Sequence, residues 1–406
     1  MGALSHLRVV DLSRVLAGPW ATQILGDLGA EIIKIEKPGE GDETRHFGPP
    51  FLKHETGERG DAVYFLAANR NKKSVAIDIA KPEGAALVKR LCRRAHIVVE
   101  NFKTGALARY GLDYASLAAE NPALIYCSLT GFGHTGPYKD KAGYDYLIQG
   151  MAGLMSITGQ PDGAPGAEPM KVGVAVSDII TGLYTTVAIL AAVIHQSRTG
   201  EGQEIDMALF DCQTAALANQ AMNYLAGQML PGRVGNAHPN IAPYQVFRTA
   251  DGFLILAIAN DQQFRRYCDA ADLSGMKQDQ RFTTNASRVE NRAALILPLA
   301  SRMQQRSTAE WIALLEKANV PCGPINRIDE VFADPQAIAR SLVVKVPRES
   351  GGELPLVASP LKLAKTPPDY RNAPPSLGEH TDVVLRDLLE LEPFEIQRLR
   401  ASGIVA

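Results

Sequence analysis

Short apolar runs alternate with stretches of helical period through the first half of the chain. Leu7–Leu12, Glu31–Ile35, His96–Val99 and Leu124–Leu129 are rich in Val, Ile and Leu and bounded by turn residues, so they read as strands. Between them, Trp20–Leu28 and Pro82–Arg94 repeat apolar positions at the spacing of a helix. That alternation predicts α/β layering. Further on, Ile179–Ile194 is almost wholly apolar or small, and no charge lies between Asp178 and Arg198. A helix with no polar face is a buried one. It falls short of a bilayer span and carries three threonines, which favours core over membrane.

Thr199–Gln203 reads as a turn, followed by a short strand at Glu204–Met207 and a helix from Phe210. Gly, Pro and Asn crowd the stretch from Gly227 to Pro243, as in a long loop. Beyond it, a strand at Phe253–Ile258, helices near Gln262–Ala271, Arg292–Gln305 and Thr308–Ala318, and an extended Pro321–Ile325 predict a smaller α+β unit. A last helix is expected near Thr381–Glu390.

With 406 residues, 46% hydrophobic and 21% charged, the chain is long enough for two domains with real cores, and disorder is excluded. A net charge of -2 argues against nucleic acid or an anionic membrane as the main partner. Five scattered cysteines with no CxxC pair suggest neither a disulfide framework nor a zinc site. Together with the absence of an export pattern, they point to a cytoplasmic protein.

The candidate chemistry starts at Asp178, where the apolar helix begins. With Ser177 as N-cap, the carboxylate would sit in the first turn, held ionised by free N–H groups and the helix dipole while burial opposes that charge. Such a group is either a structural cap or a nucleophile toward an activated acyl group. Asp145 poses the same choice between a cap and a second carboxylate beside the reacting centre. Gly131–Gly136 spells GxGxxG after a strand, the letters of a dinucleotide loop in an NAD-dependent oxidoreductase. Pro137 and a polar stretch stand where the pyrophosphate-binding helix should start. No HExxH, GxSxG or Walker A pattern occurs, so no metal site is expected. Lys34, Lys37, Arg45, Arg70, Lys72, Lys73, Lys103 and Arg109 fall near strand ends or in loops, as solvated surface or as anion contacts in the crevice of a parallel sheet.

Several segments in order resemble the family III CoA-transferases: Asp11–Pro19, Gly29–Glu36, Asn71–Ser74, Glu100–Phe102 with Gly105–Leu107, Gly131–Gly133, Gly173–Asp178 and Gly378–Thr381. The resemblance covers nearly the whole chain. It implies that Asp178 is the nucleophile, carrying first an acyl group as a mixed anhydride and then CoA as a thioester. It also implies CoA contacts at Val15, Leu16, Ala17, Lys37, Ile77, Asn101, Phe102, Arg109 and Tyr110. Asp145 matches a glutamate near the thioester. Acyl-CoA is then a substrate, with no permanently bound cofactor, and the family's interlocked homodimer is expected.

Leu16 replaces the glutamine of the formyl-CoA transferase pattern, which disfavours formyl-CoA. The family's α-methylacyl-CoA racemases are the alternative, but where they read Gly-His-Asp this chain has Gly143-Tyr144-Asp145, and tyrosine is a poor base at neutral pH. The segment Gly235–Asn240 resembles members acting between succinyl-CoA or a similar donor and another dicarboxylic acid. Arg45, Arg70, His238 and Asn240 are the candidates to bind that acid. With this resemblance, a Rossmann-like CoA-binding large domain over 1–205, a linker over 206–229, a small α+β domain over 230–328 and a return to the large domain over 329–406 complete the expectation of an α/β fold.

Overall fold

The computed structural model describes residues 2–53, 57, 59–349 and 351–406. The chain divides into two compact units, one of Met1–Leu154, Val172–Met222 and Gln336–Ala406, the other of Met155–Lys171 and Asn223–Pro335.

The first unit is built on a six-stranded sheet: β1 (Arg8–Asp11), β2 (Glu31–Glu36), β3 (Lys72–Ala76), β4 (Ile97–Glu100), β5 (Ile125–Thr130) and β6 (Glu204–Ala208). Every pairing is parallel and the spatial order is β3-β2-β1-β4-β5-β6. This is the doubly wound arrangement, in which strand order reverses between β1 and β4 and a crevice opens beyond their carboxyl ends. The strands are apolar on both faces because both are covered. Val10, Ile33, Val75 and Val98 face a core closed by α2 (Pro82–Arg93) and by the C-terminal helices Thr381–Leu389 and Pro393–Ala401. Their neighbours Val9, Ile32, Ile97 and Ile125 face the opposite core, which is closed by α1 (Ala17–Asp27) and the long helix. A one-residue step along each strand therefore switches cores.

Helix α3 (Asp145–Met151) precedes that long helix, α4 (Val176–Thr199), which Gly200 ends in a left-handed conformation. The structure corrects the expectation of all-round burial. The face of α4 turned inward is small and polar, with Ser177, Thr181, Gly182 and Thr185 buried. Leu183, Tyr184, Val187 and Ile194 are instead exposed on the single chain. Small residues let α4 approach α1 closely: a Cβ on Gly182 would stand 2.8 Å from the Ala17 carbonyl oxygen. At 24 residues the helix is long and apolar enough to cross a bilayer, so the length argument against a span fails, although its inner face is committed to the core.

The expected linker 206–229 is mostly ordered helix. After β6 the chain forms α5 (Leu209–Ala215) and α6 (Ala218–Leu225), and the first unit runs to Met222. The loop signal itself was confined to the Gly- and Pro-rich residues that follow. The second unit pairs strands Tyr244–Arg248, Phe253–Ala257 and Cys322–Pro324 in an antiparallel sheet. Its core gathers Phe264, Tyr267, Leu295, Leu299, Trp311 and Leu315 from the helices. It ends at Pro335 rather than 328 and takes in Met155–Lys171.

Gly182→Val is expected to destabilise the protein by about 2 kcal/mol or more, through overpacking at the α1–α4 crossing. Thermal unfolding of the variant beside wild type checks this.

Candidate active site

The crevice predicted by strand order is occupied by a cavity of about 200 Å³. Val15, Leu16 and Ala17 line it from the turn after β1, Asn101 and Phe102 from the turn after β4, and Asp178 from the first turn of α4. These are the carboxyl-terminal loops flanking the switch point.

Asp178 does not cap its helix. Ala175 is the N-cap and supplies no side chain, and Ser177 is not the cap expected from the sequence, since its hydroxyl donates to Gln213 Oε1 at 2.8 Å. The cap comes from another helix. Asp145 Oδ1 accepts from the backbone N–H of Ser177 at 2.8 Å and of Asp178 at 3.4 Å. Gln149, one turn further along α3, donates to Asp145 Oδ2 at 2.7 Å and accepts from Val172 N–H at 2.9 Å, so the carboxylate is clamped from behind. Asp145 reaches this position because Gly131 and Gly143 pack backbone to backbone, where a Cβ on either would lie 2.5 Å from the other's Cα. That close approach is the use of the first glycine in the GxGxxG letters. No helix begins at Gly136, the next one being α3, so the dinucleotide reading lacks its pyrophosphate site.

Asp178 is left partly buried, at the cavity wall, with a like charge beside it. Desolvation, then the Asp145 carboxylate, raises its pKa from 3.8 to about 7. A carboxylate of that basicity is ionised in substantial part near neutral pH and is a stronger nucleophile than an ordinary aspartate.

A second cavity of about 400 Å³ continues from the first, sharing Arg14, Glu43 and Phe102 with it. Lys37, Ile77, Arg109 and Tyr110 line this part. All nine positions expected to touch CoA therefore border one groove, with Asp178 at one end and an open, partly basic chamber at the other. Tyr144, where the racemase pattern places a histidine, also faces the Asp178 cavity.

The expected acid-binding arginines are not available there. Arg45 is buried, ion-paired with Glu36 and Asp61 at 2.7 Å each, and stacked on Phe65. Arg70 is buried and bidentate to Asp27, and donates to the Val357 carbonyl at 2.9 Å. Their donors are consumed inside the first unit, so both are structural clamps. His238 and Asn240 lie together in the second unit, where His238 Nδ1 accepts from Asn240 N–H at 3.0 Å and Arg292 donates to the His238 carbonyl at 2.7 Å. Among the basic residues read as surface or crevice, Lys34 and Lys72 are fully buried. Their signal was a charge inside an apolar strand, as in Ile-Ile-Lys-Ile-Glu. Among the described residues, Glu349, Glu379 and His380 bring three potential ligand atoms within 4.8 Å, away from this groove.

Comparison with known protein families matches residues 4–381 to CoA-transferase family III. The chain belongs to that family. It is 53% identical over 389 residues to a succinate–glutarate CoA-transferase of Agrobacterium fabrum, covering 96% of each. It is 41% identical to the succinyl-CoA:glutarate CoA-transferase of Mus musculus over 100% of this chain and 91% of that one. Among solved structures, a CAIB/BAIF family protein from Brucella suis superposes with a TM-score of 0.84 at 51% identity, covering 95% of this chain and 99% of that one. The α/β fold class and the CoA-transferase assignment expected from the sequence both stand.

The raised Asp178 pKa has two measurable consequences. Activity should rise with pH through a limb near 7, and Asp145→Asn should move that limb to lower pH by removing the like charge. Because the folded carboxyl binds its proton more tightly than the unfolded one, ionising it weakens the fold as pH climbs from about 4 to about 7. Asp178→Asn should accordingly gain on wild type over that window, by on the order of 3 kcal/mol at its top, and match it below. Denaturant titrations across pH read this directly.

Proposed function

We propose that this protein transfers CoA from succinyl-CoA to glutarate or a closely similar dicarboxylic acid, using Asp178 as the covalent carrier. The partly buried, basic carboxylate at the end of the groove carries the reading, and the named activities of the relatives support the choice of acids.

The steps balance without an outside reactant. Asp178 attacks the thioester carbonyl, the C–S bond breaks, and CoA leaves as thiolate, giving an aspartyl–succinyl anhydride. The thiolate attacks the aspartyl carbonyl and expels succinate, leaving CoA on Asp178. The acceptor carboxylate attacks that thioester to form a second anhydride and free thiolate, which then takes the acceptor's acyl group and restores Asp178. Each of the four attacks develops negative charge on a carbonyl oxygen at or beside Asp178, where the N-terminus of α1 stands without a capping side chain at Leu16. We assign the phosphates of CoA to Arg109 and to Lys37, which is ion-paired with Glu40 at 2.6 Å, and the apolar pantetheine arm to Phe102; all three line the groove.

The wild-type protein should convert succinyl-CoA and glutarate into glutaryl-CoA and succinate, followed by mass spectrometry, with itaconate, malate, citramalate and hydroxymethylglutarate as competing acceptors. Asp178→Ala should lose the exchange by at least about 1,000-fold. Hydroxylamine added during turnover should mark Asp178. An adduct on another residue, or full activity in Asp178→Ala, sinks the mechanism.

A homodimer forms part of the same proposal. Leu183, Tyr184, Val187 and Ile194 make an apolar stripe on α4 that a second copy would cover. The five free cysteines suit a reducing cytoplasm. Light scattering should give twice the 43.8 kDa chain mass, and Leu183→Glu with Val187→Glu should lower it. A monomeric wild type excludes the dimer.

A further inference from the structure

The turn between β1 and α1 is held in an unusual way. Val15, a β-branched residue, sits in the left-handed region at φ 68°. Side chains of that shape avoid this region, and such a conformation persists only where its surroundings over-determine it. Here they do. Ser13 N–H and Oγ donate to Asp11 Oδ1 at 2.9 and 2.5 Å. Lys34 Nζ donates to the Ser13 carbonyl at 2.8 Å. Asn101 accepts from Arg14 N–H at 2.9 Å and donates to the Arg14 carbonyl at 2.7 Å. Asp42 Oδ1 accepts from Val15 N–H at 3.2 Å, and its Oδ2 binds Lys34 Nζ at 2.9 Å.

Lys34 and Asp42 thus form one ion pair that grips the turn on both sides, and both side chains are 0% exposed. Stability alone is a poor reason for such a pair, since apolar residues of similar volume commonly do as well. What the pair fixes is direction. Residues 15–17 line the Asp178 cavity, and Ala17 opens α1 against Gly182, one turn after Asp178 on α4. Tilting the turn would move the uncapped end of α1 relative to the nucleophile.

We propose that the buried Lys34–Asp42 pair is a positioning element for acyl transfer, pinning Val15 in its left-handed conformation so that the start of α1 stays aligned on Asp178. The proposal rests on the transferase reading above, and wild-type exchange tests that reading separately.

In the full-length protein, Lys34→Met with Asp42→Leu removes both charges and leaves neither of the two unpaired. Expected is a kcat about 100-fold below wild type with succinyl-CoA and glutarate, the scale of a small misplacement of reacting groups. Lys34 and Asp42 border the same cavity as Ile77 and Arg109, and with those two unchanged KM for succinyl-CoA should move less than about threefold. Adding Val15→Gly, which accepts positive φ without strain, should recover about tenfold of the rate. Hydrogen exchange of the amides of residues 13–17 should accelerate by about tenfold or more in the pair variant, a readout independent of which acid the enzyme uses. A folded pair variant with wild-type kcat and wild-type protection of these amides overturns the proposal, as does a loss of kcat that Val15→Gly leaves unrepaired. If the pair variant does not fold, Asp42→Asn keeps an acceptor for Val15 N–H while weakening the hold on Lys34. A lower kcat with faster exchange at 13–17 then supports the proposal, and unchanged exchange rejects it.

Discussion

The site depends on one tertiary hydrogen-bonding arrangement: the carboxylate of Asp145 takes the free N–H groups at the start of α4. A helix N-terminus normally recruits its cap from the residue just before it. Here the cap arrives from α3, and the consequences are chemical. Asp178, the acid in the first turn, is relieved of any capping duty and faces the cavity. The cap brings its own charge within reach, so the same interaction that completes the helix also raises the basicity of Asp178. Structural completion and activation are one contact.

Around this point the protein keeps charged groups in its interior at the carboxyl edge of the sheet, whereas the flanking cores on both faces are apolar. Asp11, Lys34, Glu36, Asp42 and Arg45 are buried, Lys72 reaches Asp11 from the first position of β3, and each has an ionic partner. Pairing is what makes their burial tolerable, and hydrogen bonds to backbone turn them into anchors for loops. The apolar layers hold the sheet together. The buried ions hold the loops that stand on its edge.

Much of this was legible in the chain. Strand and helix patterns located β1, β2, β4 and β5 and the helices α1, α2 and α4, because periodicity reports which side chains meet a core. The address of Asp178, at the junction of an apolar run and a long apolar helix, was visible as well. Other features were misread for identifiable reasons. Arg45 and Arg70 look like any loop arginine, and their partners Glu36, Asp61 and Asp27 are set by folding rather than by spacing. The helix from Phe210 was read, but its successor Ala218–Leu225 was absorbed into a linker because Gly- and Pro-rich sequence follows directly.

The sequence by itself determined the layered α/β architecture, the apolar character of α4 and the identity of the carboxylate at its start, since each follows from local order along the chain. Tertiary structure decided what that carboxylate is. Only the crossing of Gly131 with Gly143 and the reach of Asp145 to α4 assign it partial burial, a like-charged neighbour and a place on a cavity wall. A pKa is set by surroundings in space, and those surroundings come from segments more than thirty residues apart in the chain.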